Sequence, residues 1–275
     1  MDSSIARLIL LPVESLGAMT LGALRHVGTA TWLAIDTLAW LGRGMTTRRV
    51  RLGVAGIVAQ IVRIGVRSVF IVSLVSACVG LILAFQLAPP LEEFGQKENV
   101  ARIIGVAILR ELGPLIGAIV LTGFAGASIA AEIGTMVVSE EIEALESLAL
   151  DPVRFLVVPR VVASIISMTI LAVIADVVAI VSALGISMMV LDIPQATFLT
   201  NLFDQAKMVD FATGMAKGTV FGTLIGLIAC VNGLAVQGGA AGVGRATTYT
   251  VVQSVLAIVI ADLAFTAIFY ALKLV

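Results

Sequence analysis

Long apolar runs, separated by short polar stretches, fill the chain from residue 68 onward. Five of them, at 68–88, 112–131, 161–191, 211–236 and 251–272, reach the roughly 20 residues that a helix needs to cross a hydrocarbon layer of about 30 Å. Residues 54–67 and 99–111 also carry helical patterning, so helices extend past some of these limits. The third run is long enough to tilt, kink or project beyond the bilayer. The pattern predicts an all-α integral membrane fold, with 1–67 as a cytoplasmic or interfacial lead-in and 68–275 as a five-span domain. Residues 5–24 are apolar but interrupted by Pro12, Glu14, Gly17 and Gly22. With Trp32 and Trp40 behind them, they fit either interfacial helices or a sixth, poorly formed span.

One acidic, amphipathic stretch breaks the apolar pattern, between the second and third runs. With Ser139 as N-cap and 140–150 wound at about 100° per residue, Ile142, Leu145, Leu148 and Ala149 share one face. Glu140, Glu143 and Glu146 fall largely on the other, and Glu140 and Glu141 occupy the first turn, where the helix dipole favours acids. Asp151-Pro152 then closes this helix and opens the next, with Asp151 as cap and Pro152 at the first helical position. Two readings stay open: a loop helix whose acids face water, or a docking helix whose apolar stripe enters a partner's groove.

Composition agrees with the membrane reading. Hydrophobic residues make up 60% of the chain and charged residues 13%, against about 25% charged in soluble domains. A net charge of −1 supplies no basic field for nucleic acid. Catalytic and metal-ligating chemistry is thin: there is one histidine, His26, and Cys78 and Cys230 lie in apolar segments as packing residues. No CxxC, HExxH or GxSxG occurs. The start lacks a basic n-region and Glu14 breaks its apolar run, so no cleaved signal peptide is expected. Arg7, Arg25, Arg43, Arg48, Arg49, Arg51, Arg63 and Arg67 are opposed in 1–67 only by Asp2, Glu14 and Asp36. The positive-inside rule therefore puts this end in the cytoplasm. Five spans then leave Lys273 on the far side, 89–102 and 192–210 outside, and 132–160 and 237–250 inside.

Gly214, Gly218, Gly222 and Gly226 repeat every fourth residue, as do Gly113 and Gly117. Such ridges let helix backbones approach closely, within one subunit or between two, and a cavity wall is the alternative. Arg110, Glu111, Asp176, Lys217 and Asp262 place charge in apolar runs, where each costs several kcal/mol unless paired or hydrated.

Several motifs carry a family likeness. RELGP (110–114), AAEIGTM (130–136), EALE (143–146) leading to DPVRFLVVPR (151–160), VNG (231–233) and GVGRATTYTVVQS (242–254) resemble the MlaE/YrbE permeases. These are membrane subunits of ABC lipid transporters that work with MCE-domain proteins. The resemblance covers residues 68 to 272, with the motifs in order. It implies a homodimer of five-span subunits with an N-terminal interfacial helix in a bacterial inner membrane. Residues 139–150 become the coupling helix set into a cytoplasmic ABC ATPase, with Glu140, Glu141, Ile142, Glu143, Leu145, Glu146, Leu148, Ala149, Asp151 and Pro152 as its contact residues. Matching positions put Glu111 beside Lys217 at the outer end of a lipid cavity, unless the two form only a structural ion pair. Leu83, Leu87, Pro90, Leu91 and Phe94 are the implied acyl-chain contacts, with ordinary packing as the alternative for each.

The chain carries no GxxxxGK[ST], so ATP and magnesium fall to a separate ATPase and this chain is not itself an enzyme. The run GGAAGVGR (238–245) lacks the Lys-Ser/Thr ending and reads as a flexible turn. Pro89-Pro90 is expected to sharpen the turn after the first span. Where many family members have arginine in a GRxG run, this chain has Gly123-Phe124-Ala125-Gly126, so any role of that cation cannot be carried over. The implied activity is ATP-driven movement of phospholipid or a related lipid. A proton-coupled secondary transporter using Glu111, Lys217, Asp176 or Asp262 is a rival, although no inverted repeat with broken helices is evident. A non-transporting scaffold that recruits a partner through 139–150 is another.

Overall fold

Helices account for the regular structure throughout the described part of the computed structural model, which comprises residues 21–43 (apart from 23, 25 and 26) and 54–272. In chain order they are α1 (27–43), α2 (Val54–Glu93), α3 (Lys97–Val138), α4 (Glu141–Ser147), α5 (Val153–Met189), α6 (Gln195–Gln205), α7 (Met208–Leu234) and α8 (Gly239–Ala271). The interfacial expectation for 5–24 falls almost wholly outside the described residues. Five helices, α2, α3, α5, α7 and α8, are long and apolar enough to cross a membrane. The shortest, α7, has 27 residues, or about 40 Å at about 1.5 Å per residue, already more than the hydrocarbon layer. The 40 residues of α2 and the 42 of α3 must therefore project beyond it.

The apolar runs underestimated several helices because helix geometry continues where hydropathy stops. α8 opens at Gly239 rather than at 251, and of the run 238–245 only Gly238 lies outside the helix. Gly238 and Gly239 take left-handed backbone conformations (φ 84° and 67°) that suit glycine, and the alanines after them continue as helix. Pro89 and Pro90 do not end α2, which runs through both to Glu93. The chain reverses instead around Gly95, at φ 66°. Within α2, a tightened 3-10 turn at Val66–Ser68 separates an amphipathic stretch, Val54–Ile64, from the apolar stretch Val69–Glu93.

α5 forms the centre, packed against α2, α3 and α7. The glycine row of α7 makes that packing possible within one chain. A Cβ at Gly222 would strike the Ser164 carbonyl of α5, and Gly218 and Gly226 face Ala172 and Val161 of the same helix. Peripheral helices dock through narrow stripes of mostly small residues four apart: Val72, Ser76, Gly80, Ala84 and Ala88 on α2, and Gly242, Ala246, Thr250, Ser254 and Ile258 on α8. The rest of α8 is open, with Val252, Leu256, Ile260 and Leu263 exposed. Two cores result. The larger contains Leu121, Met168, Phe221 and Ile225. The smaller, toward α6, contains Ile104, Phe198 and Leu202, with Leu83, Leu87 and Leu91 of α2 against it.

Candidate functional site: buried ion clusters toward the α6 and α4 ends

Toward the α6 end, α3 contains a π-helical turn, Ile108–Leu112, a deviation often found at functional sites. It carries Arg110 and Glu111, which reach two different levels of α7. Arg110 Nε bonds Asp210 Oδ1 at 2.5 Å. Asp210 is fully buried and its other oxygen accepts the Lys207 backbone N–H, closing a capping box at the start of α7. Two turns further along α7, Lys217 is 1% exposed, and its ammonium donates to Glu111 Oε2 at 2.5 Å. The ammonium also lies 2.9 Å from Asp262 Oδ1, an ion pair without hydrogen-bond alignment. Thr266 of α8 links the set, accepting from Lys217 at 3.1 Å and donating to Glu111 Oε1 at 3.0 Å. One cation thus ties together α3, α7 and α8, with two carboxylates around it. Glu111 stays 36% exposed, so a ligand approaching this wall meets its carboxylate before the lysine.

The structure brings Glu111 and Lys217 into contact and adds Asp262 and Thr266, but the acyl-contact candidates lie elsewhere. Leu83, Leu87 and Leu91 are half-buried against the smaller core, while Pro90 and Phe94 are exposed. Asp176 stands apart from the ion cluster. It is buried on α5 with Oδ1 unpaired, against Gly113, whose missing Cβ makes the room.

Toward the α4 end the stoichiometry reverses. Glu132 of the AAEIGTM motif forms ion pairs with Arg63 of α2 at 2.7 Å and Arg160 of α5 at 3.0 Å. Arg160 is almost fully buried and also donates to the Leu156 carbonyl. The motif reading did not pair Glu132 with these arginines, although opposite charges at matching depth in neighbouring helices were the available signal. Nearby, Asn232 of the VNG motif donates to Thr250 and Gln253 of α8 at 3.0 and 2.9 Å, pinning α7 to α8.

The helix between α3 and α5 is shorter than expected. Ser139 does not cap α4: its hydroxyl donates to the Thr135 carbonyl, ending α3, and to the Glu141 carboxylate. Glu140, in a left-handed conformation at φ 59°, precedes α4. Leu148 and Ala149 follow it, with Ala149 at φ 57°. The expected apolar stripe is also divided. Ile142 packs on the larger core and Leu145 is half-buried, whereas Leu148 is exposed with Glu140, Glu141, Glu143 and Glu146. Asp151 does cap the next helix, accepting the Val153 and Arg154 backbone N–H groups, with Pro152 at its first position. Arg154 lies over the Trp40 ring at 5.5 Å and Arg43 over the same ring at 5.2 Å, tying α1 to the segment that leaves α4.

The fold and these clusters agree with comparisons to known proteins. Residues 57–268 match the family model described as Permease MlaE. A protein named "Probable ABC transporter permease protein" from Rickettsia prowazekii is 37% identical over 214 residues, 78% of this chain and 83% of that one. One of the same description from Synechocystis is 36% identical over 203 residues, 74% of this chain and 77% of that one. The chloroplastic protein TRIGALACTOSYLDIACYLGLYCEROL 1 of Arabidopsis thaliana is 34% identical over 211 residues, 77% of this chain and 60% of that one. The chain belongs to the MlaE permease family and is a multi-pass transporter permease.

Proposed function

We propose, from this membership of the MlaE permease family, that the chain is the membrane subunit of an ATP-driven transporter. It moves phospholipid or a related lipid between a bacterial inner membrane and an MCE-domain partner in the periplasm. The observation that carries the reading is the Glu111–Lys217–Asp262–Thr266 cluster, a compact polar anchor within largely apolar helices. A lipid needs that combination, a large apolar surface with few polar contacts. The name of the Arabidopsis relative, which is that of a glycolipid, also favours a lipid substrate.

In this reading the open face of α8 meets a second copy of the chain, and the lipid lies between the two subunits. The arginine-rich N-terminal region stays in the cytoplasm. ATP and magnesium are held by a separate ABC ATPase that grips Glu141–Ser147 and the exposed Leu148. Closure of that ATPase moves α4. Because Ile142 packs against the larger core, the movement passes to α3 and α5 and favours a state in which the cavity narrows and releases its lipid.

The test uses the chain purified with its ATPase and reconstituted in liposomes, with labelled phospholipid transfer followed on adding ATP. Neutralising the anchor with E111Q and K217M together is expected to abolish ATP-driven transfer while the complex still assembles. Unchanged transfer by the double variant would reject a transport role for the pair.

A further inference from the structure

A second polar feature lies on the opposite side of the membrane region from the Lys217 cluster. Gln60, Arg63 and Arg67 of α2 line a pocket of about 80 Å³ together with Phe124 and Ser128 of α3. A wider cleft of about 600 Å³ shares Arg63, Ser128 and Glu132 with it and extends to Arg160 and to Glu141, the first residue of α4. The ionisable groups facing this depression are Arg63, Arg67, Arg160, Glu132 and Glu141, three cations against two acids. Glu132 is already occupied by Arg63 and Arg160, and Glu141 accepts the Ser139 hydroxyl.

Two groups are left over. Arg67 is exposed and makes no ion pair or hydrogen bond with any described residue. Gln60 Oε1 is buried without a donor among the described residues. Apolar side chains sit beside them, with Ile64 and Ile129 lining the pocket, Phe124 half-exposed and Val66 exposed. An unpaired guanidinium at the edge of a hydrocarbon layer is costly unless it meets water or an anion, and its planar fork fits a phosphate. An orphaned amide oxygen calls for a hydroxyl or ammonium donor.

We propose that this depression is a headgroup site for an anionic phospholipid of the leaflet on the α4 side. The phosphate sits on Arg67, with Arg63 beside it. A headgroup hydroxyl donates to Gln60 Oε1, and the acyl chains run along Phe124 and Val66. The site is separate from the Glu111–Lys217 anchor and does not depend on the transport reading. It gives the leaflet a direct contact with Glu132 and Glu141, and so with the root of α4.

The full chain, purified in a neutral maltoside detergent, provides the test. Binding of fluorescent phosphatidylglycerol is measured by anisotropy, with phosphatidylcholine and inorganic phosphate as separate probes. R67Q is expected to weaken phosphatidylglycerol binding about tenfold, as the loss of a charge-assisted contact would, while R67K keeps most of it. Because Arg67 has no partner among the described residues, R67Q should unfold at the wild-type temperature. Q60L approaches the site from its other side and should also weaken binding. Wild-type affinity in both R67Q and Q60L, or equal affinity for phosphatidylcholine, would overturn the proposal. Displacement of the lipid by millimolar inorganic phosphate would overturn the lipid assignment in favour of a free anion.

Discussion

The two ion clusters have inverted compositions and different degrees of closure. Toward α6, one lysine holds two carboxylates, and the lysine is sealed among three helices with a threonine completing its contacts. Toward α4, one glutamate holds two arginines, and the cluster opens into a cleft with a further arginine on its rim that has no partner among the described residues. Buried charge in a membrane protein is costly unless paired or hydrated, and both clusters pair theirs. The surplus sign is what differs. An acidic surplus can hold a cationic group or repel an anionic one, whereas a basic surplus attracts phosphate.

The largest expected effect comes from removing the single cation of the sealed cluster. K217M leaves Glu111 and Asp262 without a cation and should cost about 3–5 kcal/mol, measured as a loss of reversible unfolding stability in bicelles. Adding E111Q and D262N to K217M should recover most of that loss. Failure to recover would mean that Lys217 acts through packing rather than charge.

R160M tests the other cluster. It removes one of two cations and leaves Arg63 on Glu132, so its cost should be smaller, about 1–3 kcal/mol. A larger loss than that of K217M would reverse the comparison. A control away from both clusters is G222A, whose methyl would meet the Ser164 carbonyl of α5. About 1–3 kcal/mol of overpacking is expected, with the ion pairs intact. The smallest effect is predicted for W40A. Loss of the contacts from Arg43 and Arg154 should lower stability by about 1 kcal/mol and increase protease access to α1.

The sequence exposed the spans and the Glu111–Lys217 pair more readily than the details of either cluster. Hydropathy located five membrane helices because apolar runs of that length have few other uses. It misplaced the start of α8, since helix formation through Ala240 and Ala241 does not require hydrophobicity. Amphipathic periodicity found α4 but read too many of its residues as one helix. Left-handed turns at Glu140 and Ala149 cut it to seven residues, and no glycine marks those positions. The lysine and its glutamate stood out as rare charges in apolar runs. Asp262 and Asp176 looked equivalent at that level, yet only Asp262 reaches the lysine, because helix rotation decides which way a side chain points. Arg63, Glu132 and Arg160 were hidden by distance along the chain: three helices from separate segments had to pack before their charges could meet.

The central claim, that a partner's ATP cycle drives lipid movement through this chain by way of α4, is tested most directly by one reconstitution. The chain and its ATPase are placed in liposomes, and phospholipid transfer is recorded with ATP, with a pH gradient and no ATP, and with a chain carrying Leu148→Asp and Glu143→Lys. ATP-dependent transfer that the substituted chain loses, with no response to the pH gradient, is the result predicted. Transfer by the chain alone under a pH gradient, indifferent to ATP and to the α4 substitutions, would contradict it.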